Sequence, residues 1–345
     1  MNGTLRGDGV VVSGDARQRF HDARGYGRAD GDEVTLARVE AAHLLYRGDL
    51  DAVDGAAFRA FFADSVAAVD RFAARFLVYA DLRERGFYVA PARDGWPGAG
   101  AVGDPAVDLV VFARGEKPGG EVAHRVRVAG ERQELPAADL AGRVLAVVDE
   151  ESEVTYFDCG SGGGFAGATE FDSPAGVDAD LMDDRVVCWD PPEDLYESGF
   201  YGQPVAGRDA AVVDALHLSL VEAADLADRD ALSLDAEAVC DRGRAVEGER
   251  FDRRLSVYRQ LRDRGVVPKT GYKFGADFRT YDAVESVSDL PHSEALVRVV
   301  QPDHRFHLRD LAEDVRLAGG VRKRMVFALA GDDSLAYLTV ARLTP

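Results

Sequence analysis

Lys323 is a candidate catalytic residue because the chain contains so few lysines. Only four lysines occur among 345 residues, and Lys323 stands at the start of the apolar run RMVFALA. A compact ammonium group there could offset negative charge that develops during a reaction. Tyr281 and His292 lie upstream and can exchange protons. Taken singly, each of the three has an ordinary structural interpretation: a tyrosine on a sheet surface, a histidine in a loop and a solvated lysine.

An internal repeat allows the two halves of the chain to be compared. The segment DRFAARFLVYADLRERGF (70–87) matches ERFDRRLSVYRQLRDRGV (249–266) at a constant offset. Apolar residues recur at helical spacing in both, and Gly265 stands where a left-handed helix cap is expected. Two shorter motifs repeat upstream: VEAA at 39–42 and 221–224, and GYG at 25–27 beside FYG at 200–202. The chain is therefore predicted to be a tandem repeat.

The three candidate residues occur only in the second half. Alignment of the strand-like segments places Phe112, Glu121 and Gly142 of the first half opposite Tyr281, His292 and Lys323 of the second. Loss of three reactive side chains on a retained scaffold indicates one active copy and one structural copy. Between His292 and Lys323 the sequence predicts a strand, ALVRVV, and then a helix that ends at Gly319–Gly320. The predicted inward residues of this helix are Leu308, Leu311, Val315 and Leu317.

The net charge of −20 limits the partners that the protein can bind through long-range attraction. With 41 basic against 61 acidic residues, affinity for nucleic acid through basic patches is not expected in dilute salt. An acidic composition with almost no lysine is typical of a protein from a high-salt cytoplasm, with an ordinary acidic protein as the alternative. At molar salt the Debye length is about 3 Å, so only short-range contacts then decide binding.

Membranes and metals are not expected to take part. The sequence holds no run of about 18 apolar residues and does not start with a basic segment followed by an apolar one, so a cytoplasmic protein without membrane contact is expected. The three cysteines, Cys159, Cys188 and Cys240, form no CxxC pair, which argues against disulfides and zinc. His304 and His307 form an HxxH pair without further ligands, and solvent-facing histidines are the favoured interpretation.

The second half resembles the archaeal tRNA-intron (tRNA-splicing) endonucleases. The matching stretches, in order, are YRQLRDRGVVPKTGYKFGADFRTY, PHSE and RLAGGVRKRMVFALA. The resemblance implies a catalytic triad that uses neither metal nor cofactor, with Tyr281 as general base, His292 as general acid and Lys323 as the cation that stabilises the transition state. It implies cleavage of precursor tRNA at both intron boundaries in a bulge-helix-bulge structure, giving 2',3'-cyclic phosphate and 5'-OH ends.

The resemblance also implies RNA-binding residues and a homodimer, as in the subgroup whose chains carry one degenerate and one active repeat. Arg316 and Arg342 match two arginines that clamp a flipped bulge base, and guanidinium planes suit this task because they stack on bases. The acidic segment 149–153 occupies the family's inter-subunit loop. Four side chains there are expected to dock on basic residues of the partner, namely Asp149, Glu150, Glu151 and Glu153. A solvated acidic turn is the alternative.

The predicted fold is mixed α/β with two tandem repeats. Each repeat holds a small mixed α/β N-terminal domain and a restriction-endonuclease-like catalytic-type domain, in which helices flank a mixed sheet. The predicted order is an N-terminal domain at 1–70, a degenerate, non-catalytic nuclease-like domain at 71–158, a Gly-rich linker at 159–180, a second N-terminal domain at 181–248 and the catalytic nuclease domain at 249–345. The Gly and Ser content of the linker predicts flexibility.

Two other functions compete with this interpretation. A catalytically inactive RNA-binding or scaffold subunit is one, since the first half shows that this fold can lose the three residues; their presence in the second half argues against it. A metal-dependent nuclease of restriction-enzyme-like architecture is the other. It would need a PD...(D/E)xK-type acidic cluster, which Asp277 and Asp282 with Lys323 match poorly. Cleavage that resists chelators would separate these functions.

Overall fold

The computed structural model describes residues 1–98, 104–207, 213–332 and 334–345. These residues form two compact units, each with its own hydrophobic core. Unit 1 comprises Met1–Gly160, Arg305–Ala312 and Ala341–Pro345, and unit 2 comprises Ser161–His304 and Glu313–Val340. Each unit holds a small sheet, a larger mixed sheet and helices, which confirms the predicted mixed α/β fold with two repeats. No helix in the described ranges is long and apolar enough to cross a bilayer.

Unit 1 begins with a five-stranded sheet. Its strands are β1 (Asn2–Arg6), β2 (Gly9–Val12), β3 (Arg28–Asp30), β4 (Glu33–Ala37) and β5 (Ala52–Val53), in the order β3-β4-β2-β1-β5. Its helices are α1 (Arg38–Tyr46), α2 (Phe58–Ala68) and α3 (Phe72–Glu84), and a π-helical segment spans Arg17–Asp22. The buried carboxylate of Glu40 accepts the N–H groups of Gly27 and Ala37 at 2.7 and 2.8 Å. These bonds attach the start of α1 to the loop before β3.

A second, larger sheet completes unit 1. The strands are β6 (Val89–Pro91), β7 (Leu109–Phe112), β8 (Val122–Gly130), β9 (Glu134–Pro136), β10 (Arg143–Val148) and β11 (Val154–Ser161), with a 3-10 turn at Ala137–Asp139. Five of them lie in the order β6-β7-β8-β10-β11, and only β8 and β10 run parallel. Helix α3 packs on this sheet. It is the helix that the repeated sequence predicted.

Unit 2 has the same plan. Its small sheet contains β12 (Ala179–Leu181), β13 (Arg185–Trp189), β14 (Gln203–Pro204) and β15 (Ala215–Ser219), in the order β12-β13-β15-β14. Its helices are α4 (Glu193–Glu197), α5 (Leu220–Asp228), α6 (Ala236–Glu247) and α7 (Arg250–Asp263). Helix α7 is the second copy of α3. It ends before Gly265, whose φ of 71° confirms the predicted left-handed position.

The larger sheet of unit 2 carries the candidate residues. The remaining elements are β16 (Val267–Thr270), β17 (Phe278–Tyr281), β18 (Ala295–Val300), β19 (Arg305–His307), α8 (Leu308–Gly320), β20 (Arg324–Ala330) and β21 (Leu335–Leu343), with 3-10 turns at Tyr272–Phe274 and Val287–Asp289. The order is β16-β17-β18-β20-β21, and only β18 and β20 run parallel. β19 belongs to unit 1, where it pairs with β9. Both larger sheets therefore share one topology.

Each repeat also contains one buried aspartate between its long helix and its larger sheet. Asp108 accepts the N–H of Val128 at 2.7 Å, and Asp277 accepts the N–H of Val299 at 2.8 Å. Both form ion pairs with two arginines at matching places: Arg71 and Arg75 for Asp108, and Arg250 and Arg254 for Asp277. Asp108 has a third partner in Arg127, at 3.8 Å. A buried carboxylate is stable only with such partners. The duplication therefore includes the internal polar contacts as well as the strand order.

The Gly-rich segment between the halves is not the flexible linker that its composition predicted. It packs against unit 2, where the N–H of Gly167 donates to the Arg264 carbonyl at 2.8 Å and the N–H of Ala168 donates to the Asp282 carbonyl at 2.7 Å. A Cβ atom at Gly167 would lie 2.2 Å from the carbonyl oxygen of Gly265. Glycine is required here because two backbones approach closely.

The predicted burial of helix α8 is wrong at one position. Leu317 is 43% exposed, whereas Leu308, Leu311 and Val315 are buried as predicted. The buried stripe continues through Ala318, which follows Leu311 and Val315 at helical spacing. Leu317 lies outside that stripe, so hydrophobic character alone did not determine which side of the helix it occupies.

The alignment of the two halves needs a shift of one residue near Lys323. The pairing of β10 with β8, compared with the pairing of β20 with β18, places Ala141 rather than Gly142 at the position of Lys323. Neither residue carries a charge. The first repeat therefore still lacks a cation at this place.

Candidate active site

The three candidate catalytic residues lie at one edge of the larger sheet of unit 2. Tyr281 is the last residue of β17, His292 lies in the loop between β17 and β18, and Lys323 directly precedes β20. Strand β18 is antiparallel to β17 and parallel to β20. The end of β17 and the starts of β18 and β20 therefore meet at the same edge. Strand topology thus gathers residues that are separated by up to 42 positions in the sequence.

Backbone and side-chain hydrogen bonds tie the three positions together. The ammonium of Lys323 donates to the carbonyl of Ser293, the residue after His292, at 2.7 Å. The N–H of Glu294 donates to the carbonyl of Thr280, the residue before Tyr281, at 2.8 Å. On the other side, the N–H of Arg324 donates to the Glu294 carbonyl at 3.0 Å. The loop that carries His292 is therefore held on both neighbouring strands.

The surroundings of Lys323 lower the pKa of its ammonium group and hold it at the sheet edge that carries Tyr281 and His292. The side chain is partly buried, and burial together with the charge of Arg279 lowers its pKa from 10.5, opposed by Glu294. Its Nζ lies 5.9 Å from the ring centroid of Phe274, in the 3-10 turn before β17. A partly desolvated ammonium interacts more strongly with an anion than a fully hydrated one.

Tyr281 is almost fully enclosed, whereas His292 is open to solvent. Tyr281 is 7% exposed, and its ring makes an edge contact with Phe200 at a centroid distance of 5.7 Å. Phe200 belongs to the repeated FYG motif, so the small sheet region of unit 2 helps to fix the phenol. His292 is exposed in its loop. Its ring is therefore accessible from solvent.

Arg279 is a residue of this edge that the sequence analysis did not identify. Its guanidinium carbon lies 5.8 Å from the Tyr281 ring centroid, and its Nε is buried without a hydrogen-bond partner among the described residues. The available signal was the alternation of strand β17, because Arg279 and Tyr281 are two residues apart and face the same side. The edge therefore holds two cations rather than one.

The two predicted RNA-binding arginines are both exposed. Arg316 lies on helix α8 in unit 2, and Arg342 lies on strand β21 in unit 1. Arg316 follows Val315 on α8, just outside the buried stripe of that helix. Both guanidinium groups are thus accessible to a ligand that approaches their own unit.

The acidic segment forms the turn between β10 and β11 in unit 1. Asp149 organises it, since its Oδ1 accepts the N–H groups of Glu151 and Glu153, both at 2.9 Å. Glu150 forms an ion pair with Arg132. Glu150, Glu151 and Glu153 are exposed, whereas Asp149 is partly buried. The segment therefore presents three carboxylates on a turn of fixed shape.

Metal ligands do not cluster in the part of the chain that the structure describes, where no group of three or more His, Cys, Asp or Glu side chains is arranged around a common point. Of the predicted HxxH pair, His307 lies 3.0 Å from Glu134 in unit 1. The three cysteines are buried, and none forms a disulfide. For Cys159 and Cys188, burial raises the pKa of the thiol to about 12.

Two models of known protein families match this architecture. The family model of the tRNA intron endonuclease catalytic C-terminal domain matches residues 251–337, which include Tyr281, His292 and Lys323. The model of the tRNA intron endonuclease N-terminal domain matches twice, at residues 1–62 and 177–240. The chain belongs to the tRNA intron endonuclease family. The double match agrees with the two repeats, and the catalytic match falls on the repeat that carries the three candidate residues.

Similar proteins of the tRNA intron endonuclease family extend over the whole chain. A tRNA-splicing endonuclease of Halobacterium salinarum is 58% identical over 355 residues, covering 100% of both chains. One of Haloferax volcanii is 55% identical over 349 residues, again covering 100% of both. One of Methanococcoides burtonii is 35% identical and covers 99% of both chains. Membership of this family makes the chain an enzyme, an endoribonuclease, as the sequence predicted.

Proposed function

We propose that the protein cleaves precursor tRNA at both intron boundaries, within a bulge-helix-bulge structure and without a metal ion, to give 2',3'-cyclic phosphate and 5'-OH ends. One observation carries the proposal: the catalytic domain brings an enclosed phenol, an exposed imidazole and a partly buried ammonium to one sheet edge, joined by the bond from Lys323 to the Ser293 carbonyl. These are the three groups that cleavage by the RNA's own 2'-OH requires.

The proposed reaction assigns one role to each group. Tyr281, acting as a phenolate, takes the proton of the 2'-OH, whose oxygen then forms a bond to the adjacent phosphorus. The bond from phosphorus to the 5' oxygen breaks, and His292 donates a proton to that leaving oxygen. Lys323 offsets the charge that grows on the non-bridging oxygens. Arg279 adds a second positive charge beside Tyr281. Neither a water molecule nor a metal-bound hydroxide enters this step.

The proposed binding of RNA uses exposed arginines. Arg316 and Arg342 would each stack a guanidinium plane on a bulge base, in keeping with the exposure of both side chains. Such contacts act at short range, so they persist at the salt concentration that the composition predicts. We also propose the domain boundaries given above, with N-terminal domains at 1–70 and 181–248. The junctions between α2 and α3 and between α6 and α7 support them.

Cleavage of a bulge-helix-bulge precursor in molar potassium chloride with EDTA tests the proposed function. The full chain is expected to release an intron and to leave cyclic-phosphate ends, which resist periodate oxidation until the ring is opened and the phosphate is removed by a phosphatase. Binding without cleavage would instead indicate an inactive RNA-binding or scaffold subunit. Cleavage only after addition of Mg²⁺ would indicate a metal-dependent nuclease.

In the proposed homodimer, the acidic turn at 149–153 docks on basic residues of the partner subunit. Replacing Glu150, Glu151 and Glu153 together by lysine is expected to convert the dimer to a monomer, because three ammonium groups would then repel the basic residues that the carboxylates are proposed to meet. Light scattering coupled to size exclusion measures the mass. Asp149 is left unchanged, since it holds the turn. A matched control replaces Asp183, Asp184 and Asp180 of unit 2 by lysine. A dimer that survives only the control change supports docking, whereas one that survives both supports a solvated turn.

A further inference from the structure

Tyr272 is the large hydrophobic residue with the greatest exposure in the described part of the chain. It is 87% exposed and lies in the 3-10 turn between β16 and β17, followed by the exposed Lys273. A single exposed aromatic is common on protein surfaces. Three further observations distinguish this one: the stiffness of its turn, the place of that turn beside Lys323 and the different arrangement in the first repeat.

The turn that carries Tyr272 has little freedom. Its N–H groups are used internally: that of Phe274 donates to the Gly271 carbonyl at 2.8 Å, and that of Gly275 donates to the Tyr272 carbonyl at 3.1 Å. Gly275 takes the left-handed conformation, with φ of 66°. At Gly271, a Cβ atom would lie 2.8 Å from the carbonyl oxygen of Ala276. The backbone at Tyr272 is therefore held by the turn, which reduces the backbone entropy lost when a ligand binds there.

The same turn reaches the proposed active site. Phe274, two residues after Tyr272, lies 5.9 Å from the ammonium of Lys323, measured to the ring centroid. Tyr272 therefore stands one short turn away from the cation that is proposed to act on the scissile phosphate. A nucleotide adjacent to that phosphate would come within reach of its ring.

The first repeat places its aromatic residue differently. Its connection between β6 and β7, in which residues 99–103 lie outside the described ranges, carries Trp96. Trp96 is 6% exposed, and its indole N–H donates to the buried Glu40 at 3.1 Å. In the second repeat the equivalent glutamate is Glu222. It accepts a hydrogen bond from the ammonium of Lys269 at 2.6 Å instead. The repeat that lost the triad buries its aromatic, and the repeat that kept the triad exposes one.

We propose that Tyr272 is a stacking platform for an unpaired nucleotide of the bulge, next to the phosphate that is cleaved. This inference rests on the proposed function and names a part of the substrate that the site binds. An aromatic face accepts any base, and stacking is a short-range contact. It therefore retains its strength in molar salt, where a chain of net charge −20 gains little from attraction to phosphates.

Binding of two RNAs tests the platform in a His292→Ala background, in which cleavage is blocked. One RNA has the bulge-helix-bulge structure, and the other is a continuous duplex of the same length. Tyr272→Ala is expected to weaken binding of the bulged RNA about 5- to 150-fold, the range that corresponds to one stacked base. Tyr272→Trp is expected to keep the affinity. A 2-aminopurine in the bulge should be quenched by the parent protein and remain bright with Tyr272→Ala.

A matched variant and a separate assay keep the outcomes distinct. Tyr46→Ala removes another exposed tyrosine, on α1 of unit 1, and is expected to change neither affinity nor quenching. Equal loss of affinity for both RNAs, or quenching that survives Tyr272→Ala, overturns the platform. If the protein with His292 intact cleaves the bulged precursor while Tyr272→Ala cleaves and binds it equally well, only the platform is wrong. If the intact protein does not cleave it, the proposed function itself fails.

Discussion

Replacement of Lys323 by alanine is expected to slow cleavage of the precursor about 100- to 1000-fold, the typical effect of removing one preorganised electrostatic contact from a transition state. The reason is the position of its ammonium, which is partly buried and fixed by the Ser293 carbonyl at the edge that also holds Tyr281 and His292. Single-turnover cleavage with excess enzyme measures the chemical step. Fluorescence anisotropy of labelled RNA should show little change in affinity.

The nature of the leaving group separates the role of Lys323 from that of His292. A substrate with sulfur in place of the scissile 5' oxygen has a leaving group that needs no protonation. His292→Ala, expected to cost about 100- to 10,000-fold on the natural RNA, should therefore recover most of its rate on this substrate. Lys323→Ala should not recover, because the charge on the phosphate remains uncompensated. Recovery of both variants, or of neither, would contradict the assigned roles.

Two substitutions serve as controls for Lys323→Ala. Lys117→Ala removes an exposed lysine of unit 1 that donates to the Asp22 carbonyl, and its cleavage rate should match that of the unchanged protein. Lys323→Arg retains the charge but replaces a compact ammonium with a planar group. Its cleavage rate should therefore fall between that of the unchanged protein and that of Lys323→Ala. A Lys323→Ala protein that cleaves within about twofold of the parent would remove the catalytic cation from the proposal.

The sequence identified the three candidate residues because its evidence was local and repeated. Comparison of the two halves marked Tyr281, His292 and Lys323 as specific to one copy, and the strand pattern RMVFALA placed Lys323 at the start of a strand. The order of neighbouring strands then brought them together. Arg279 was missed because an arginine in a strand resembles any solvated cation until its neighbours are known.

The errors came from residues whose role depends on distant parts of the chain. Gly167 was interpreted as part of a flexible linker, but its glycine is needed where the segment meets the Gly265 carbonyl. Leu317 was predicted to be buried from its side chain alone. Likewise, no sequence pattern joins Lys269 to Glu222, which is 47 residues away. Composition and periodicity do not contain these tertiary contacts.

The contact between Lys269 and Glu222 leads to the largest expected change in stability. Replacing Lys269 by methionine is expected to lower the free energy of unfolding by about 3 to 5 kcal/mol, because it leaves a buried carboxylate without its charged partner. The side chains of both residues are about nine-tenths buried, and the Nζ to Oε1 distance is 2.6 Å. Lys269 also donates to the carbonyls of Phe200 and Gly202, so those acceptors lose a donor as well.

The expected loss in the free energy of unfolding depends on pH, and the direction of this dependence identifies the Glu222 carboxylate as its cause. Burial by itself would raise the pKa of Glu222, but Lys269 and Ser219 lower it to about 2. A carboxylate with a lowered pKa stabilises the fold above its unfolded value, near 4.5, and this stabilisation is lost as the pH falls toward 2. The unfolded value is common to both proteins, so the difference between the parent protein and Lys269→Met depends on the pKa of Glu222 in the two folded states, which is higher without Lys269. This difference should therefore shrink as the pH falls from neutral toward 2.

Denaturant unfolding in molar potassium chloride measures this difference, with hydrogen exchange of peptides from α5 and β16 to report on unit 2. Salt should change it little, because the pair is enclosed and mobile ions cannot reach it. Lys273→Met is the matched control, since it removes an exposed lysine four residues away, and its effect should stay within about 0.5 kcal/mol. A loss below about 1 kcal/mol for Lys269→Met, or one that grows as the pH falls, would show that Glu222 does not depend on this ammonium.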